Sequence, residues 1–135
     1  MGAEPEGKGW SVARVEDGRP YAWGRLHAAL WALKTLAETG RIVPLSEGEV
    51  GRKADNPRNI AWALLRGAGH QVFLAREKGG LRAEAAAVLF ADIAKLILPE
   101  RMRRDGLGDV GTAAFRQGYE AQLAEYRKQW EGLVD

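Results

Sequence analysis

The chain has no cysteine, only two histidines, and only two serines, Ser11 and Ser46. Without thiols there is no disulfide framework, no thiolate nucleophile and no thiolate metal site, and a reducing cytoplasm is the expected compartment. With Ser11 near the N-terminus and Ser46 in a connection, a Ser-His-Asp arrangement has poor material. His27 and His70 fall on different expected helices, and no HExxH, GxGxxG or phosphate-loop pattern occurs, so no metal or nucleotide cofactor is expected. Long apolar runs are lacking too. The most apolar stretch, Ala83 to Leu98, is interrupted by Glu84, Asp92 and Lys95, and no transmembrane segment is expected. The opening MGAEPEGKGW carries acids and glycine where a signal peptide needs a basic stretch and then an apolar run, so export by that route is not expected either. β-branched residues are few and no alternating run extends far, so nothing reads as a strand.

What remains is the composition of one soluble helical domain. At 135 residues with 46% hydrophobic and 28% charged residues, the chain can enclose one core and not two. Residues 1–20 hold four glycines and two prolines without any period, and read as a flexible tail. Residues 21–135 form the expected domain, an all-α up-and-down bundle of four main helices. In the first, Ala22, Leu26, Ala29, Leu30, Leu33, Leu36 and Ala37 share one face from Tyr21 to Thr39, and Gly40 stops the helix. Ser46 caps a short turn beginning at Glu47. Asn56 then caps a long helix starting at Pro57 and running to about Lys78, because proline loses nothing at a first helical position. Gly79-Gly80 separates it from a third helix, Leu81 to Leu98, closed by Pro99. That helix is apolar nearly all round and is expected to be central. Asp109 is placed to cap the last helix, which runs to about Trp130.

The net charge is only +2, so any nucleic-acid binding must come from local clusters. Arg52-Lys53 with Arg58 and Arg66 form one cluster, and Arg101, Arg103 and Arg104 another. On the second long helix Asn59, Arg66, His70 and Glu77 project along one line with Arg58 and Arg76 beside it, opposite Ile60, Leu64, Ala68 and Val72. The first helix carries Trp23, His27 and Trp31 at i, i+4 and i+8, opposite the leucine face. Either the bundle wraps this helix on both sides, or these three form a protein interface or a stacking surface. Phe115, Tyr119, Leu123, Tyr126 and Trp130 make a core stripe on the last helix, away from Arg116, Arg127 and Lys128.

Three segments resemble a known family. Tyr21-Ala22-Trp23-Gly24-Arg25-Leu26-His27-Ala28-Ala29-Leu30 is similar to the GRL-x-A-x-L helix in the C-terminal region of the type I-C CRISPR large subunit, a region also made separately as a small subunit. Ala54-Asp55-Asn56-Pro57, followed by Ile60 to Ala68, resembles the family's proline turn and apolar helix. Phe115-Arg116-Gln117-Gly118-Tyr119-Glu120-Ala121-Gln122 resembles its Phe-x-x-Gly-Tyr-Tyr-x-Gln helix, with Glu120 where the second Tyr is usual. The Asn-Ala-Thr-Ile-type stretch that precedes the proline turn in the family has no counterpart in Leu45 to Lys53.

The resemblance implies a non-catalytic helical small subunit of a crRNA-guided type I effector, present in more than one copy beside the backbone and large subunits. It would stabilise the R-loop by holding the displaced non-target DNA strand, with Arg52, Lys53, Arg58 and Arg66 as first contacts and Arg101, Arg103 and Arg104 next. The alternative is a helical protein-interaction module, a regulator or a mimic of that subunit, binding a protein through Trp23, His27 and Trp31.

Overall fold

A leucine stripe and a tryptophan stripe share one helix, and both are covered. In the computed structural model, which describes residues 9–97 and 107–135, that helix is α1 (Gly9–Thr39). The others are α2 (Glu47–Asp55), α3 (Pro57–Glu77), α4 (Gly80–Leu96) and α5 (Gly108–Gln129). Among the described residues the chain is all-helical and has no strand, apart from an isolated bridge between Ile42 and Val134. None of the described helices is long and apolar enough to cross a membrane.

α1 is the axis of the fold. It packs on α5, α3 and α4, whereas α3 and α5 make no substantial packing with each other. The α3–α4 pair therefore lies on one side of α1 and α5, joined by α2, on another. This enclosure is why Leu26, Leu30, Leu33 and Leu36 are buried together with Trp23 and His27 on the opposite side of the same helix. Phe115, Tyr119, Leu123, Tyr126 and Trp130 supply the facing stripe from α5 and are all buried.

Several boundaries differ from the sequence reading. α1 starts at Gly9, so it passes through the limit placed at residue 20 and contains Pro20. An apolar period signals a packed face; the backbone ladder does not require one. Residues 1–8 lie outside the described part of the chain, as does Pro99. Ser46 does cap α2, through a capping box with Glu49 in which Glu49 N–H donates to Ser46 Oγ and Ser46 N–H to Glu49 Oε1. Asn56 occupies the cap position of α3 but makes no side-chain cap bond, and Leu107, not Asp109, precedes α5. Gly79 and Gly80, with φ of 75° and 57°, make the α3–α4 turn, a conformation open to glycine and unfavourable for most side chains.

α4 is the main correction. It is not central: Ala87, Phe90, Ala91 and Ala94 are exposed, and Ile97 just beyond it as well. Only Ala85, Ala86, Leu89 and Ile93 are buried. The position at the centre belongs to α1, which alone among the described helices packs on α3, α4 and α5 together.

Candidate nucleic-acid interface

Pro57 opens α3 with a φ suited to a first helical turn, and Ala61, Leu64 and Ala68 turn one side of that helix into the core. The opposite side of its first three turns then presents Arg58, Asn59, Trp62 and Arg66, which line a surface groove of about 590 Å³. Trp62 is 52% exposed. The indole is flanked one turn away on each side by a guanidinium, the kind of chemistry with which bases are stacked and phosphates neutralised. Asn59, Arg66, His70 and Glu77 are all exposed, as the common line on α3 requires.

A core histidine holds this end of α3. His27 Nε2–H donates to the Pro57 carbonyl at 3.0 Å, and its ring meets Phe115 edge-on at 5.0 Å between centroids. The imidazole is buried, which pushes its pKa down to about 4. The bond to the Pro57 carbonyl acts in the opposite direction, and the positive charge of Lys53 adds a smaller lowering. His27 is therefore neutral near pH 7 and acts as a strut between α1 and α3. Its Nδ1, and Trp23 Nε1 one turn away, are buried without a hydrogen-bond partner among the described residues.

These contacts overturn the exposed patch inferred for α1. Trp23 is 1% and His27 0% exposed, since α5 and the start of α3 cover the face opposite the leucines. Trp31 is half-buried; its Nε1–H donates to the Val43 carbonyl at 3.0 Å. The ammonium groups of Lys53 and Lys34 lie 4.6 Å and 5.3 Å from its ring centre. Trp23 and His27 are packing groups with no surface open to a partner, and Trp31 keeps only part of its ring exposed.

The candidate phosphate contacts separate. Arg58 and Arg66 share the groove with Trp62. Arg52 and Lys53 belong to the last turn of α2 and do not line it. Arg52 is exposed, whereas Lys53 rests on Trp31, where burial lowers its pKa. Arg101, Arg103 and Arg104 lie outside the described residues. On α5, Arg116 donates to the Glu47 carbonyl at 3.2 Å and Arg127 to the Asp135 carbonyl at 3.1 Å, so both have structural work.

Sequence reasoning missed Trp62. As part of an apolar helix it draws no notice, although it stands one turn from both Arg58 and Arg66, and that spacing is the available signal. Among the described residues no group of three or more His, Asp or Glu side chains could hold a metal ion.

The residues that carry the family resemblance converge. Arg25 Nε donates to Gln122 Oε1 at 2.8 Å and His27 reaches Pro57, while Tyr119 Oη accepts from Leu45 N–H, outside the resembling segments, at 2.7 Å. Comparison with protein-family models, with curated proteins and with solved structures finds no match to this chain.

Proposed function

We propose that this chain is a non-catalytic nucleic-acid-binding subunit that holds a single strand against the N-terminal half of α3. The observation that carries this reading is the exposure of Trp62 between Arg58 and Arg66. The indole offers a face to any base, the guanidinium groups neutralise phosphates, and the Asn59 amide is within the same groove. Such a surface is tolerant of sequence and selective for unpaired bases, because a base inside a duplex cannot reach the indole.

The resemblance supplies the setting: a cytoplasmic crRNA-guided type I CRISPR effector in which the chain is the small subunit and the strand is the displaced non-target strand of the R-loop. Guide pairing then provides sequence specificity, and the protein needs only phosphates and base faces. In support, residues from the three resembling segments bond to one another, Arg25 to Gln122 and His27 to Pro57, as expected of a shared frame with four long helices in an up-and-down bundle.

The test is binding of labelled single-stranded and duplex DNA across a salt series. Single-stranded DNA should bind more tightly, with affinity falling steeply with salt, and Arg58→Gln with Arg66→Gln should flatten that slope. Absence of binding at low salt, or a slope the double change leaves intact, overturns the reading. A protein-interaction role is favoured by a different observation, the exposed apolar side of α4, and no longer by Trp23, His27 and Trp31.

A further inference from the structure

Eleven residues separate Trp62 from Phe73 on α3. At about 3.6 residues per turn that is close to three whole turns, so the two rings leave the helix about 20° apart around it and about 16 Å apart along it. Both are uncovered, Trp62 at 52% and Phe73 at 60% exposure. The core side of α3 is Ala61, Leu64, Ala68 and Ala75, and Phe73 points away from it by its place in the helical period.

Phe73 has surroundings like those of Trp62. It lines a second surface groove, of about 440 Å³, with Val72, Arg76 and Glu77. Arg76 follows Phe73 by three residues, as Arg66 follows Trp62 by four. Arg58, Arg66 and Arg76 all leave α3 within about 40° of the Trp62 direction. None of the three forms an ion pair among the described residues, so their charge is open to an anion. Glu77 stands on the other flank of Phe73 from Arg76, where it turns phosphates toward the arginine side. Between the rings lies Gly69, exposed, where an added Cβ would meet nothing within 4 Å. The helix backbone is bare there, and a strand passes from one ring to the other with no side chain in its way.

We propose that Phe73 and Arg76 form a second stacking and phosphate subsite, and that one unpaired nucleic-acid strand runs the length of α3, from Trp62 across Gly69 to Phe73. This rests on the reading of Trp62 as a strand-binding residue. Two rings fixed on one helix favour a strand long enough to reach both, because the second contact is made by a molecule already held at the first. Stacked bases rise about 3.4 Å per step, so a strand of about three nucleotides reaches one ring only, whereas one of about twelve reaches both.

The test is titration of the full chain with oligothymidylates of these two lengths, followed by amide chemical shifts and repeated across a salt series. Phe73→Ala should weaken the long strand roughly fivefold to a hundredfold and leave the short one nearly unchanged, with the far-UV circular dichroism intact. Arg76→Gln should flatten the salt slope of the long strand by about 0.7. Gly69→Glu, which has room for its side chain, should weaken the long strand roughly fivefold by setting a negative charge on the path. If Trp62→Ala weakens the long strand while Phe73→Ala and Arg76→Gln leave it as in the wild type, this inference is overturned and the Trp62 reading stands. A Phe73→Ala loss equal for both lengths also overturns it. A wild-type chain that binds neither length at low salt overturns both.

Discussion

Gly24 and Gly118 lie against each other's helices where α1 crosses α5. A Cβ on Gly24 would stand 2.0 Å from the Phe115 carbonyl oxygen, and one on Gly118 would stand 1.9 Å from the Tyr21 carbonyl oxygen. Backbone meets backbone at this crossing, and the close approach brings Arg25 within reach of Gln122. The glycine of each resembling motif thus makes room for the helix that carries the other motif.

Gly24→Ala or Gly118→Ala must push the helices apart, because the obstacle is main chain and cannot rotate away. Each should destabilise the fold by about 3 kcal/mol and lower Tm by roughly 10 °C in a thermal melt. A melt within a degree or two of the wild type would show that the crossing is looser than described.

His27 makes stability depend on pH. Its folded-state pKa is lowered to about 4, so the unfolded chain takes up the proton first as pH falls. The contribution is whole above about pH 6.5 and is lost progressively down to about pH 4, amounting to about 3 kcal/mol. Urea denaturation at pH 7 and at pH 4 should show this loss. His27→Gln should remove that part of the slope while lowering stability at pH 7.

Tyr119 anchors the connection between α1 and α2. Its hydroxyl accepts from the Leu45 amide, and burial pushes its pKa up to about 12, so it stays protonated in ordinary buffers. Tyr119→Phe strands a buried N–H and should cost about 1–3 kcal/mol by chemical denaturation. The helix content should be unchanged.

Trp62→Ala separates stacking from charge. Affinity for single-stranded DNA should fall between about fivefold and about a hundredfold, with no change in salt slope, since no phosphate contact is lost. Trp62→Phe should recover part of the affinity. Equal losses for duplex and single strand would assign Trp62 a structural role instead.

The amino-acid order by itself determined the helical class, the α1 leucine face, the α5 core stripe, the Ser46 cap and the Pro57 start, because each rests on spacing within one helix or on the chemistry of one turn. It also put Arg66 on a polar line of the second long helix with Arg58 beside it. What it could not decide is which side of a helix has a neighbour. α1 and α4 are both apolar beyond a single face. Only the tertiary structure placed α1 between α3, α4 and α5, which buries Trp23 and His27, and left α4 at the edge with Phe90 exposed. The same packing turned Ala61, Leu64 and Ala68 inward and so set Trp62 in solvent between two arginines. Periodicity records how much of a helix is apolar, whereas exposure follows from how many helices surround it.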